Sequence, residues 1–190
     1  MSTKQRRIAT LARDDPAMAF TSLNHYIDYN WLLQAYQLTR KDGATGVDGQ
    51  TADMYERQWE ANLLNLLDRI KSGRYRAPAL RRVYIPKGKG QQRSLGFSTF
   101  EDKIAQRAVV MLLEPIFEQV FYNCSFGSRK GRSAHHALQS LRSHIMRDGG
   151  QWVLDVDIQK YFDTIDHSKL PLVLARRVTD GVVRKLIVSS

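Results

Sequence analysis

The chain has 190 residues, 43% of them hydrophobic and 25% charged, which is enough to bury one ordinary core and excludes a disordered tail. Its 29 Lys and Arg against 19 Asp and Glu leave a formal charge of +10, pointing to phosphate-rich polymers or anionic surfaces as partners. One cysteine, Cys124, excludes an internal disulfide framework and a cysteine-based zinc site, and with no secretory signal or bilayer span in the pattern the expectation is a cytoplasmic chain with no membrane partner.

Residues 1–24 are polar and weakly patterned around Asp14, Asp15 and Pro16, which reads as a loose arm holding at most a short helix. Helical spacing over 29–39 runs into the loop K-D-G-A-T-G-V-D-G at 41–49. Its three glycines suggest backbone angles that side chains forbid. Tyr55, Trp59, Leu63, Leu66, Leu67 and Ile70 recur at helical intervals, predicting one helix over 52–72 stopped by Gly73.

Eight basic residues and no acid lie between Lys71 and Arg93: Lys71, Arg74, Arg76, Arg81, Arg82, Lys87, Lys89 and Arg93. The wider stretch 71–150 holds 15 basic and 5 acidic residues, which accounts for the whole excess. Scattered charge is usually just a solvated face. Here it alternates with Val83, Tyr84 and Ile85 in a predicted hairpin, Val83 and Ile85 pointing one way and Arg82 and Tyr84 the other. The tip falls at 88–90 and the return strand runs from Gln91 to Phe97. An ordered, uncompensated array favours a polyanion, and its strand-like pattern is not that of a basic membrane-surface helix.

Residues 101–121 form a predicted helix with apolar positions at Ile104, Ala108, Leu112 and Ile116, which Pro115 is expected to kink or break. A turn-rich segment at 125–133 leads to a helix carrying Ala134, Leu138, Leu141 and Ile145, ended by Gly149 and Gly150. Trp152 to Ile158 alternates as a strand, with Val153, Asp155 and Asp157 sharing a face. Two carboxylates on one strand face repel each other, so they fit either a Mg²⁺ site or a solvated sheet rim. A two-metal phosphoryl-transfer centre needs a second acidic element, and after Asp166 only Asp180 remains. A last helix is predicted over 167–178. His135 and His136 are adjacent and diverge on a helix, and Cys124 reads as a buried or half-buried thiol.

Five blocks carry a resemblance. G-A-T-G-V-D-G (43–49), R-R-V-Y-I-P-K-G-K-G-x-x-R-S-L-G (81–96), L-E-P-I-F-E (113–118), S-F-G-S-R-K-G-R-S-A-H (125–135) and W-V-L-D-V-D-I-Q-K-Y-F-D-T-I-D-H (152–167) occur in order. Together they resemble the group II intron reverse transcriptases, or intron-encoded maturases, over roughly residues 25–175. The family's Tyr-x-Asp-Asp turn has no counterpart here, so the expectation is an N-terminal portion or a shortened relative. The implied fold is α/β (α+β), helix-rich with a β-hairpin: the right-hand polymerase's fingers preceded by an N-terminal extension over 25–150, and the start of the palm over 151–190.

The resemblance implies an enzyme that copies RNA into DNA with Mg²⁺ and also grips intron RNA to assist splicing. It makes Asp157 the catalytic metal ligand, with the backbone carbonyl of Ile158 as a second contact. Phe162 matches the bulky residue under the incoming sugar, and Lys87 and Arg93 match the residues that grip the nucleotide triphosphate. Arg74, Arg76, Arg81, Arg82, Lys89, Arg129 and Arg132 would face RNA. The implied partners are intron or template RNA, a DNA primer and a deoxynucleotide, with dimerisation left open and further carboxylates coming from outside this chain. Ser94, Phe97–Ser98 and Ser128-Arg129-Lys130 depart from the family's common Pro, Ile-Pro and Phe-Arg-Pro. The alternatives are an RNA-binding module that does not polymerise, or a retron, CRISPR-associated or diversity-generating reverse transcriptase.

Overall fold

Ser2 opens the first helix of the computed structural model, which describes residues 2–88, 92–150, 152–159 and 161–189. Its side chain accepts the Gln5 N–H while Gln5 Oε1 accepts the Ser2 N–H, a reciprocal cap that satisfies two orphan donors at once. Helix α1 (Thr3–Asp14) therefore stands where the sequence suggested a loose arm, and it buries Gln5, Ile8 and Ala12. The polar composition hid a narrow apolar stripe of only two small or branched residues. Asp28, whose carboxylate accepts the Trp31 N–H at 2.9 Å, caps α2 (Tyr29–Leu38), as the spacing predicted.

The predicted helix over 52–72 is two helices, α3 (Ala52–Glu56) and α4 (Trp59–Lys71). Apolar spacing runs across the break at 57–58, so periodicity alone joins them. Gly73 ends α4 with φ +66°, a left-handed stop that glycine takes without steric cost. The hub is α5 (Phe100–Phe117), on which α1, α2, α3 and a late helix, α9 (Gly181–Ser189), all pack. Its Ile104, Ala108, Leu112 and Ile116 are 0–1% exposed.

Pro115 does not break α5, which runs on to Phe117, and the N–H it lacks is replaced. Proline lacks the donor that would reach the Met111 carbonyl one turn back. The Gln5 side-chain amide donates to that carbonyl instead, at 3.2 Å and fully inside the protein. One glutamine thus caps its own helix and completes the backbone of another. The Trp31 indole N–H adds an α2–α5 tie, donating to the Ala108 carbonyl at 3.0 Å.

Strands β1 (Arg81–Pro86) and β2 (Gln92–Phe97) pair antiparallel, with Arg82 opposite Gly96 and Tyr84 opposite Ser94. Helices with one antiparallel hairpin make the fold α+β, as expected. After α5 come a turn-rich segment and α6 (Ala134–Asp148), which buries no residue. The strand predicted at 152–158 does not form: among the described residues the hairpin is the whole sheet, and 152–159 are exposed throughout. Alternation encodes only which face a strand could bury. It does not supply the neighbour whose N–H and C=O groups complete a ladder.

The predicted helix over 167–178 is shorter, α8 (Leu170–Ala175), after a single turn, α7 (Tyr161–Thr164). The segment behind α8 clasps the start of the chain. Phe20 bridges Val178, and buried Asp180 accepts the Leu23 and Asn24 N–H groups at 2.7 and 2.8 Å while capping α9 through Val182 and Val183. Asp180, the last acid in the chain, is therefore a structural cap. Cys124 is exposed and not buried, because the turns around it pack no apolar layer over the thiol.

Candidate nucleic-acid interface

The hairpin stands on two flanking anchors. On one side Tyr75, 2% exposed, donates its hydroxyl to buried Asp102 at 2.8 Å. On the other, the Thr99 hydroxyl accepts the Asp102 N–H and caps α5. Burial, and then the Asp102 carboxylate, hold the Tyr75 hydroxyl well above its ordinary pKa. The approach and the return of the basic hairpin are thus tied to the same aspartate.

Register sorts the hairpin's side chains. Arg81, Val83 and Ile85 share a face with Phe97, Leu95 and Arg93, while Arg82 and Tyr84 take the other. That is the alternation read from the sequence. Val83 and Ile85 are nonetheless 38% and 40% exposed, so neither face is sealed into the core. Arg81, Arg82, Lys87 and Arg93 are exposed, and no ion pair among the described residues engages them. Arg93 pairs with Ile85 across the ladder, and Lys87 follows two residues beyond Ile85, ~7 Å along an extended chain. Both cations therefore belong to the tip end of the hairpin. Lys89 lies outside the described residues.

The other predicted RNA-facing residues divide. Arg74 pairs with Asp68 and bonds the Ser72 hydroxyl at the surface. Arg76 is exposed, and one of its terminal nitrogens donates to the Gly73 and Tyr75 carbonyls. Arg132 sits 5.4 Å from the Phe126 ring centroid. Arg129 is a correction: its side chain is 6% exposed, with Nη2 2.5 Å from Glu118 Oε1 and Nη1 2.8 Å from the Tyr122 and Ser125 carbonyls. The guanidinium fork knits the 122–129 loop to the end of α5. A sequence shows an arginine's charge, not the carbonyls that consume its donors.

Asp155 and Asp157 lie on the exposed segment 152–159. Among the described residues no group of three or more His, Cys, Asp or Glu side chains could hold a metal ion. The Ile158 carbonyl lies on the same open segment. Phe162 belongs to α7, and its side chain lies outside what is described.

What the sequence reading missed is the second role of the glycine loop. Gly49 does take φ +66°, as glycine content suggested. Gly46 is required for a different reason: a Cβ there would sit 2.6 Å from the Thr99 backbone. The loop 43–49 thus presses on the first turn of α5 at the base of the hairpin, and Lys103 locks it by donating to the Ala44 carbonyl at 2.6 Å.

The reverse transcriptase (RNA-dependent DNA polymerase) family pattern matches residues 85–188. This chain belongs to the reverse transcriptase family. It is 37% identical over 188 residues to Protein YkfC of Escherichia coli (strain K12), covering 95% of this chain and 49% of that protein. It is 32% identical over 186 residues to the group II intron-encoded protein LtrA of Lactococcus lactis subsp. cremoris, covering 95% of this chain and 30% of that one. Nuclear intron maturase 1, mitochondrial, of Arabidopsis thaliana is 33% identical over 91 residues, 48% of this chain and 12% of the relative. The resemblance to group II intron-encoded proteins is therefore borne out, and the chain spans 49% and 30% of the length of the first two of these relatives. No described helix is long and apolar enough to cross a membrane.

Proposed function

We propose that this chain supplies the N-terminal extension and fingers (25–150) and the opening of the palm (151–190) of a group II intron-type RNA-directed DNA polymerase that also binds intron RNA to assist splicing. The observation that carries the reading is the hairpin: Arg81, Arg82 and Arg93 project from an ordered ladder with Lys87 just beyond it, and no ion pair among the described residues engages any of the four. An array of like charge is stabilised by a polyanion, and phosphate contacts fix register on a nucleic acid without reading its sequence. Lys87 and Arg93 would hold the triphosphate of an incoming deoxynucleotide, a point charge beside a forked donor. Arg74, Arg76, Lys89 and Arg132 would extend the contact to template or intron RNA and to the DNA primer; Arg129 is left out because its guanidinium is buried against Glu118 and two carbonyls.

Asp157 would contribute one carboxylate, beside the Ile158 carbonyl, to a Mg²⁺ site whose other ligands come from outside this chain, and Phe162 would lie under the sugar. For the chain by itself the open 152–159 segment supports RNA binding without polymerisation. The test offers the purified chain a primer annealed to template RNA. Salt-sensitive RNA binding without Mg²⁺-dependent primer extension is expected. Extension by these residues alone would overturn the shared-site reading, and absence of RNA binding would overturn the interface.

A further inference from the structure

The hairpin stands away from the helices. Strand β1 is exposed at all six positions, and β2 is half-buried only at Leu95 and Phe97. The two strands pack chiefly on each other, while the remaining packing between elements runs from helix to helix. The hairpin's direction is therefore set where it leaves and re-enters the body of the protein, at Tyr75 and at Thr99. We propose that Asp102, in the first turn of α5, is the positioning residue of this hairpin. By taking the Tyr75 hydroxyl it locks the approach to the helix that the return enters, and so fixes where Lys87 and Arg93 stand. This rests on the reading of the hairpin as the grip on nucleic acid, and adds the group that aims that grip.

Leverage is the first argument. No described residue between Tyr75 and Thr99 is buried, so nothing sealed into the core steadies the arm along its length. Six paired residues extend ~20 Å, and a rotation of ~10° at the base therefore carries the tip ~3 Å. A charge-assisted hydrogen bond does not survive a displacement of that size.

The second is that Tyr75 is held from three sides. Its hydroxyl donates to Asp102 Oδ1 at 2.8 Å, its N–H donates to the Arg69 carbonyl at 2.9 Å, and the Arg69 guanidinium lies 5.6 Å from its ring centroid. Arg69 is fixed in turn by Glu101, 2.6 Å away. The consecutive acids Glu101 and Asp102 thus bring α4, the hairpin's approach and α5 to one point.

The third is the chemistry of the carboxylate. Asp102 is 1% exposed, and no ion pair among the described residues engages it. Its Oδ2 accepts the Gln106 amide at 2.8 Å, and its N–H donates to the Thr99 hydroxyl at 3.2 Å. A buried charge held by neutral donors costs stability that an apolar pair would not, although the positive end of α5 lowers that cost. What the carboxylate supplies is direction, because a satisfied polar network admits one arrangement where a packed ring can slide. Tyr55 gives the contrast: it is 1% exposed and packs on Phe100 of the same helix, yet its hydroxyl has no hydrogen-bond partner among the described residues.

The test places spin labels on the whole chain through Tyr84→Cys on the hairpin and Val110→Cys on α5, both exposed, with Cys124→Ser removing the native thiol. The distribution of distances between the labels is then read. Tyr75→Phe, which keeps the ring, should broaden it by about 3 Å, the displacement of the lever. Asp102→Ala should do the same. Asp102→Asn leaves an oxygen for the Tyr75 hydroxyl and should hold the parent's distribution, and Tyr55→Phe should leave it unchanged. Affinity of the unlabelled chain for a single-stranded RNA oligonucleotide should fall about fivefold in Tyr75→Phe, the equivalent of one hydrogen bond. Its salt slope should stay the same, since no charge is removed. Thermal melting confirms that each variant folds, and Tyr75→Phe against Tyr55→Phe decides the matter if Asp102→Ala does not. A parental distribution in Tyr75→Phe would overturn the proposal, and so would equal broadening in Tyr55→Phe, the mark of a generally loosened hub. Broadening with RNA affinity kept at the parent's value would overturn it too, since the grip would not depend on the aim. A parent without salt-dependent RNA affinity would overturn the nucleic-acid reading, with the distances still deciding whether Asp102 aims the hairpin.

Discussion

Gln5 shows how one side chain holds two helices. Its oxygen completes the cap of α1, and its nitrogen satisfies the Met111 carbonyl that Pro115 leaves open. Gln5→Leu removes both bonds from a buried site, so a loss of roughly 1–3 kcal/mol is expected in denaturant unfolding. Pro115→Ala restores the missing helical donor and should recover part of that loss in the double variant. Additive costs in this mutant cycle would show that the two residues do not act through one carbonyl. No sequence pattern announces this pairing, because Gln5 and Pro115 lie 110 positions apart and neither is unusual in its own segment. Arg129 is opaque although its partners are near, because a sequence does not show which carbonyls take an arginine's donors. By contrast the exposure of Arg81, Arg82, Lys87 and Arg93 is legible, since a charge in an alternating strand with no acid nearby has few other places to go.

At the scale of elements, legibility followed local packing. Helix α2, the stop at Gly73 and the hairpin register were each encoded within a few residues. The break between α3 and α4 and the open 152–159 segment were not, because neighbours far along the chain decide them. Helix α6 is formed by its own caps, with the Ser133 hydroxyl accepting the His136 N–H and Gly149 at φ +67°, and it buries nothing. Helices without tertiary burial are marginal in water. In native-state hydrogen exchange α6 amides should therefore exchange at least about tenfold faster than those in the middle of α5. Equal protection of the two helices would mean that α6 is packed in solution.

Across the whole molecule, α5 is the hub around which both ends of the chain close, and the buried tyrosines beside it set an alkaline limit. Burial, and then Glu101, raises the Tyr55 hydroxyl, and burial, and then Asp102, raises that of Tyr75. Both groups are neutral in the fold and ionise near pH ~10 once unfolded. The stability they contribute is fully present below that pH and is lost as pH rises toward their folded values. Chemical denaturation should show a falling midpoint above pH ~10, and Tyr55→Phe with Tyr75→Phe should flatten that fall. A midpoint that rises there would contradict the assignment.

If the basic hairpin on this hub grips nucleic acid, as proposed, counterion release reads it out. RNA affinity of the chain is measured against salt, for the parent and for Arg81→Ala, Arg82→Ala, Lys87→Ala and Arg93→Ala combined. A steep parent slope is expected, which the variant flattens by ~0.7 for each phosphate it no longer neutralises, with thermal stability nearly unchanged because all four side chains are exposed. A variant whose slope and affinity match the parent's would contradict that grip.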